Sequence, residues 1–171
     1  MVQPKSNLPE LTFQSIASWN GQGADESLQV FLEQCDSGLL EGWSCKKTAQ
    51  VGDVYLFWFC QPAEVLAGVG IVANVPYEDE KAGDWGSAAR MAWFCTYEPI
   101  IALPNVIRPS DIRGDADLKR WWHGRPFQGG PKRVEINPYG RKLAAMILKK
   151  NPRDAHLARF LRVFSLPTSR D

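Results

Sequence analysis

The sequence predicts an α+β fold in which a small curled β-barrel carries flanking helices. The first observation is the run from Val54 to Cys60, whose alternating faces are both apolar, as in a central strand covered on two sides. The second is the following strand, residues 68–75, where Gly68 and Gly70 indicate a bend or a close backbone approach. The third is a C-terminal part with apolar residues at helical spacing.

The remaining elements follow from local periodicity and from turn residues. Asp25 is a plausible N-cap for a first helix, and Gly38 follows where a helix C-terminal glycine belongs. We further predict strands over residues 12–19, 90–100 and 134–138, and helices over residues 139–150 and 157–164.

Length and composition predict one globular domain that spans residues 1–171. The chain is 44% hydrophobic and 23% charged, which argues against disorder. We expect residues 1–10 to be frayed and residues 151–171 to form a helical extension. Since there is no signal-peptide pattern and no apolar run near the roughly 18 residues of a membrane span, a cytoplasmic location without membrane contact is expected.

Catalytic and metal sites have little support in the sequence. The four cysteines lie far apart, and the only histidines are His123 and His156, so neither a zinc site nor another metal site is predicted. The stretch "GQGADE" lacks the third glycine of a dinucleotide fingerprint, and no nucleophile elbow is present. We therefore expect no cofactor and no enzymatic activity.

The charged residues divide unevenly between the two parts of the chain. Residues 1–100 contain five Lys or Arg and 13 Asp or Glu, whereas residues 101–171 contain 15 and six. The net charges are −8 and +9, and such a split indicates a surface for a polyanion. Solvated helix faces would give the same counts and remain an alternative.

Two of the seven tryptophans, Trp43 and Trp85, lie in polar stretches that we interpret as loops. Trp58 and Trp93, in contrast, lie inside apolar strands, where core packing is expected. A loop tryptophan can plug the end of a barrel. Two facing indoles can instead hold a flat ring between them, and stacking contributes about 1–3 kcal/mol per base.

Residues 42–80, with "GDWGSAARMAWFCTYEPI" behind them, resemble the core of the EVE domain and of the related YTH domain. The shared pattern is Trp-Ser, then Gly-Asp before a strand, then a glycine-containing strand and a loop tryptophan. The resemblance extends from about Thr12 to Ile147 and is closest over residues 42–103. It implies a PUA-like barrel, and in both families an aromatic cage holds a flipped, modified base of DNA or RNA.

Carried over residue by residue, the resemblance implies that Trp43 and Trp85 are opposing cage walls. It implies that Ser44 and Cys45 lend backbone or side-chain hydrogen bonds to the edge of the base, and that Asn20 reads the same edge or, alternatively, that Trp19 is a pocket wall instead. The basic residues implied or proposed as phosphate contacts are Lys46, Lys47, Arg125, Lys132 and Arg133. An apolar cage binds a methylated base in preference to the plain base, because burial of one methyl group contributes about 0.8 kcal/mol.

The predicted function is therefore a non-catalytic reader of a methylated nucleobase in DNA or RNA, fused to or associated with a restriction-type effector. A second hypothesis is an ASCH-like protein that binds or cleaves RNA with Lys46, Lys47, His123 and Arg125 on a groove. A third is a protein-interaction module, in which the loop tryptophans and the C-terminal helix dock a partner chain.

Overall fold

The computed structural model describes residues 8–16, 18–19, 22–78, 93–123 and 130–165, with the backbone alone at residues 18, 19 and 22. The strands are β1 (Leu11–Ile16), β2 (Ser18–Trp19), β3 (Gln22–Gly23), β4 (Leu40–Cys45), β5 (Val54–Phe59), β6 (Val65–Val72), β7 (Tyr77–Glu78), β8 (Trp93–Ile107) and β9 (Lys132–Arg133). The helices are α1 (Ala24–Cys35), α2 (Pro109–Arg113), α3 (Ala116–His123), α4 (Arg141–Lys150) and α5 (Ala155–Ser165), and a short π-helical turn (Ile136–Gly140) precedes α4.

The strands form a mixed sheet in the order β4-β8-β6-β5-β1-β9, with β7 beside β8. Neighbouring strands are antiparallel except β1 and β5, which run parallel. The registers of β8 with β4 and with β6 contain irregular steps, which increase the twist of a sheet. The result is an α+β fold in which a curled half-barrel carries flanking helices, as the sequence predicts.

Strand β5 separates two apolar cores, as the predicted central strand should. Val54, Leu56 and Trp58 belong to an outer core beneath the C-terminal helices. Tyr55, Phe57 and Phe59 belong to an inner core within the half-barrel. The prediction that both faces of this strand are apolar and covered is therefore confirmed, and every residue of β5 is buried.

Helix α1 closes the inner core through Phe31, whose side chain is fully buried. A Cβ atom added at Gly68 of β6 would lie 2.4 Å from Phe31 Cζ and 2.9 Å from the carbonyl oxygen of Ile101. Only glycine fits at such distances, so the close approach predicted at Gly68 is confirmed. The first helix is confirmed as well, but Asp25 is not its N-cap: α1 begins at Ala24 with Gly23 as the N-cap residue, and Asp25 lies in the first turn.

Helices α4 and α5 cover the outer face of the sheet. Their inward residues are fully or almost fully buried: Leu143, Ala144 and Ile147 of α4, and Leu157, Leu161 and Phe164 of α5. The turn between them is tied to β8, since the side chain of Asn151 exchanges two hydrogen bonds with the backbone of Asn105 (2.8 and 3.1 Å). The apolar face of the predicted C-terminal extension thus packs against the core of this chain.

Two predicted boundaries are wrong. Residues 134–138 do not form a strand: β9 ends at Arg133, and the N–H of Gly140 donates to the carbonyl of Glu135 (2.9 Å) to close the π-helical turn. Pro138 has no N–H for a sheet ladder, which accounts for the difference. Residues 1–7 lie outside the described residues, but Glu10 is anchored, because its N–H donates to Asp53 Oδ1 (2.8 Å).

Asp115 connects α3 to α4. Its Oδ1 accepts hydrogen bonds from the N–H groups of Leu118 (3.0 Å) and Asp117 (2.9 Å), and Lys142 Nζ donates to both carboxylate oxygens. These contacts, the Leu118 hydrogen bond first, hold the pKa of Asp115 below its ordinary value. The carboxylate therefore stabilises the fold only while it is ionised.

The Asp115→Asn variant is expected to lose less stability than the wild type when the pH is lowered into the acidic range. Because the folded pKa lies below the unfolded value near 3.8, the stabilisation is complete above about pH 4 and is lost as the pH falls through the folded pKa. The melting temperatures of the wild type and of Asp115→Asn should therefore differ most at neutral pH and converge in acid, as followed by circular dichroism. A difference that is independent of pH would contradict this role.

Candidate functional site

The structure places Trp43 in strand β4, so the prediction that it lies in a loop is wrong. Its side chain is 5% exposed and packs in the inner core, with ring centroids 5.8 Å from Phe31 and 5.9 Å from Phe57. Gly42, with φ at 65°, lies in the irregular step that precedes Trp43 in the β4–β8 register. That step and the pairing of Trp43 with Cys95 fix the indole inside the half-barrel.

Strands β1 and β4 approach each other although β5, β6 and β8 separate them in the sheet order. Gln14 Nε2 of β1 donates a hydrogen bond to Ser44 Oγ of β4 (3.0 Å). Among the described residues no backbone ladder joins these two strands. We call the region between residues 14–16 and residues 43–45 the seam. Side chains bridge it.

Gln14 is the buried polar residue of the seam. Its side chain is 4% exposed, and Oε1 has no hydrogen-bond partner among the described residues. Exchanging the amide oxygen and nitrogen would let Oε1 accept from Ser44 and leave the NH2 group without such a partner instead. A buried polar group without a partner costs about 1–3 kcal/mol, and a ligand group that reached this end of the amide would relieve that cost.

Ser44 is held in place from two directions. Its hydroxyl contacts Gln14, and its carbonyl accepts a hydrogen bond from the Tyr97 hydroxyl (2.9 Å). Burial, the largest cause, raises the pKa of Tyr97 well above its ordinary value, so this hydroxyl stays a donor. The side chain of Ser44 is half-buried, which leaves it accessible to a ligand in the seam.

Charged residues stand at the rim of the seam. Lys46 forms an ion pair with Glu10, and Arg133 Nε lies 3.5 Å from the other oxygen of the same carboxylate. Burial lowers the pKa of Lys46, and its side chain is 20% exposed. Arg133 is more open, with 66% of its side chain exposed, so it is the better placed of the two for a phosphate.

The other predicted phosphate contacts are less close to the seam. Lys132 is exposed on β9, opposite Phe13 of β1. Lys47 is exposed as well, and its Nζ lies 4.9 Å from the ring centroid of Trp93. The structure therefore brings Lys46, Lys132 and Arg133 to the β1 side of the sheet, whereas Lys47 contacts the end of β8.

Cys45 does not present its thiol to the seam. The side chain is 6% exposed in the inner core, and its hydrogen bond with the Cys95 thiol, followed by burial, raises its pKa. The thiol therefore stays protonated and is already engaged. Strand β4 turns the Cys45 side chain inward beside Trp43, so a contact of its backbone with a base edge is the part of the prediction that stays open.

Several predicted site residues cannot be placed. Asn20, Trp85 and Arg125 lie outside the described residues, and only the backbone of Trp19 is described, in strand β2. The arrangement of Trp43 and Trp85 as opposing walls therefore stays a prediction.

The residues predicted for an RNA-cleaving groove are not joined in the part of the chain that the structure describes. His123 is exposed at the end of α3, and no hydrogen bond or ion pair there connects it with Lys46 or Lys47. Within the same ranges, no three His, Cys, Asp or Glu side chains stand close enough to hold a metal ion. None of the described helices has the length and apolarity that crossing a membrane requires.

Gln14 and Glu10 were not predicted as site residues from the sequence. Gln14 lies between Phe13 and Ile16 in a strand that is otherwise buried and mostly apolar. This polar residue within an apolar strand is the signal from which it could have been predicted. Glu10 falls in the stretch predicted to be frayed. Its pairing with Lys46 depends on the curl of the sheet, which no local pattern specifies.

Comparisons with known proteins identify the fold but not the family. No family model matches the chain, and no curated protein matches it. A hypothetical protein from Leishmania major is 12% identical, with a TM-score of 0.59 over 85% of this chain and 99% of that chain. A Pseudomonas putida protein is 15% identical, with a TM-score of 0.57 over 81% and 99%. A Rhodopseudomonas palustris protein is 10% identical, with a TM-score of 0.54 over 86% of this chain and 97% of that chain. At these identities the likeness concerns the fold alone.

Proposed function

We propose that this chain is a nucleic-acid-binding module of the PUA-like, EVE type that holds one methylated nucleobase in the seam. The observation that carries the proposal is the buried amide of Gln14 beside the Ser44 hydroxyl, because one end of this amide has no hydrogen-bond partner among the described residues. The resemblance of residues 42–103 to EVE and YTH domains supports the same position, because it assigns Ser44 to the base pocket.

The chemistry of the seam suits the edge of a nucleobase. Each base edge carries neighbouring donors and acceptors, and an amide can pair with two of them at once. The Gln14 amide and the Ser44 hydroxyl together offer both kinds of group, 3.0 Å apart. A base that fills this position leaves its stack, which costs a few kcal/mol and requires compensating contacts.

Trp43 has a different role in this proposal from the exposed platform that the sequence suggests. The indole lies directly before Ser44 in β4 and forms part of the apolar inner core. It backs the seam with an apolar surface, against which a methyl group contributes about 0.8 kcal/mol. Trp85 as the facing wall remains part of the proposal.

The exposed cations of β9 supply the part of the affinity that does not depend on the base. Arg133 and Lys132 are exposed beside β1, and phosphate contacts from such residues release condensed counterions. Binding should therefore weaken as salt rises for modified and unmodified strands alike. Discrimination between the two should depend on the seam instead.

The test compares Gln14→Met with the wild type on short oligonucleotides that differ by one methylated base. Methionine keeps the shape of the side chain and removes its hydrogen-bonding end. We expect the wild type to prefer a modified strand by about fourfold, which corresponds to one buried methyl, and Gln14→Met to lose most of this preference, because without a hydrogen bond of about 0.5–1.5 kcal/mol the base no longer fills the seam. Fluorescence anisotropy at two salt concentrations measures both affinities.

Gln29→Met is the matched control, because Gln29 is exposed on α1. The one hydrogen bond described for its side chain goes to Glu33 of the same helix. This variant should discriminate like the wild type. The melting temperature of Gln14→Met should not fall by more than a few degrees, because the buried amide is only partly satisfied. A wild type that binds every modified strand no better than its plain counterpart would refute the proposed function.

A further inference from the structure

A second concave surface lies on the other side of β9 from the seam. This groove has a volume of about 310 Å³ and lies between α3, β9 and the π-helical turn. The lining residues that matter here are Phe13, Arg120, Trp121, Lys132, Arg133 and Tyr139. It combines aromatic rings with cations, whereas no acidic side chain is among the described residues that line it.

Trp121 provides a fixed aromatic surface in the groove. Its ring makes an edge-to-face contact with Phe13, with centroids 5.2 Å apart and planes at 84°. The side chain is half-buried, so one part of the indole is held by the core and another part is accessible. A ring that is already immobilised can stack on a ligand with little loss of its own conformational freedom.

Three cations surround this aromatic surface. Arg120 is the residue before Trp121 on α3 and is exposed, and Lys132 and Arg133 are exposed on β9. Flat rings and phosphates occur together in nucleotides, and single-stranded nucleic acids are bound by this combination of stacking and positive charge. The chemistry of the groove therefore fits a nucleotide better than an uncharged or an acidic ligand without a ring.

Strand β9 places the groove and the seam next to each other. Arg133 pairs with Thr12 and Lys132 pairs with Phe13, and directly opposite residues project to the same side of a sheet. Arg133 thus shares the side of Thr12 and Gln14 and contacts Glu10 at the rim of the seam. Lys132 shares the side of Phe13, which contacts Trp121. Lys132 therefore faces the groove, whereas Arg133 lines the groove and also contacts the rim of the seam.

We infer that the groove binds a nucleotide that flanks the base held in the seam, with its ring on Trp121 and its phosphate between Arg120 and Lys132. The inference rests on the proposed function, because it takes the strand to cross β9 from the seam. It predicts that affinity depends on strand length, since a free nucleoside fills the seam only and a strand of several nucleotides fills both surfaces.

The experiment measures binding of two probes, a free methylated nucleoside and a single strand of about five nucleotides that carries the same base. The double variant Arg120→Ala/Lys132→Ala should bind the strand about tenfold more weakly than the wild type and the nucleoside equally well. Trp121→Leu should also weaken strand binding about tenfold, because base stacking is lost. Lys119→Ala, an exposed lysine of α3 that does not line the groove, is the matched control and should bind both probes normally.

The outcomes separate this inference from the proposed function. If the seam discriminates methylated from plain strands while Arg120→Ala/Lys132→Ala binds the five-nucleotide strand like the wild type, the groove is not a nucleotide site and the inference is overturned. If the groove variants weaken binding of plain and modified strands equally and no preference for methylation exists, the groove is supported and the proposed function fails. Because Arg120 and Lys132 are exposed, a folding defect in Trp121→Leu would leave this test intact.

Discussion

Replacing Trp43 by alanine is expected to lower the free energy of unfolding by about 3–5 kcal/mol. The indole is 5% exposed and packs against Phe31 and Phe57, so its removal leaves a cavity in the inner core that rigid strands on both sides cannot fill. For a chain of this size the loss is a large part of the total stability. Chemical denaturation followed by tryptophan fluorescence and circular dichroism measures it.

Trp43→Phe is the companion variant, because phenylalanine keeps an aromatic ring in the same position. We expect it to cost clearly less than the alanine variant, in the range of about 1–3 kcal/mol. Leu32→Ala, at a 36% exposed position of α1, should change the stability by no more than about 0.5 kcal/mol. A Trp43→Ala protein that melts close to the wild type would show that the indole is not part of the core, and it would restore the interpretation of Trp43 as a surface platform.

Replacing Gly68 by alanine should destabilise the protein by about 1–3 kcal/mol, because the inner core has no room for another carbon atom. The added Cβ would stand 2.4 Å from Phe31 Cζ and 2.9 Å from the Ile101 carbonyl oxygen. The phenyl ring can shift only by displacing α1, and the carbonyl belongs to the β8 backbone. Thermal and denaturant unfolding of Gly68→Ala measure the effect.

The double variant Gly68→Ala/Phe31→Leu identifies the contact that is responsible. Leucine removes the ring atoms that the new methyl meets, so the double variant should be more stable than the sum of the single effects allows, by about 0.5–2 kcal/mol. Recovery should be partial, because the Ile101 carbonyl remains in place. Strictly additive effects would mean that Phe31 is not what excludes a side chain at position 68.

Most of the fold could be predicted from the sequence because the period of its apolar residues is local information. The double-sided pattern of residues 54–60, the paired glycines of the next strand and the helical spacing after residue 140 all correspond to observed elements. Trp43 could not be placed in this way. Its neighbours Gly42 and Ser44 indicate a loop, whereas its depth is set by pairing with Cys95, far along the chain.

The candidate site depends on contacts between distant residues even more strongly. Gln14 and Ser44 are 30 residues apart, and nothing near either of them specifies the other. Ser44 was accessible to prediction only through the family resemblance of the Trp-Ser pair. Arg133 and Lys132 were predicted through the resemblance of their basic segment to YTH-type domains, but their position beside β1 follows from the two-residue pairing of β9.

The seam also determines where the half-barrel yields most easily. Adjacent strands elsewhere in the sheet are held by backbone ladders, whereas β1, β4 and the residues beside them meet through side chains such as Gln14–Ser44 and Glu10–Lys46. Parting these two strands breaks single interactions of about 1 kcal/mol each and leaves every ladder intact. These two strands can therefore part without the loss of a backbone ladder, and what opposes their separation is the shared packing of Ile16 and Trp43 in the inner core.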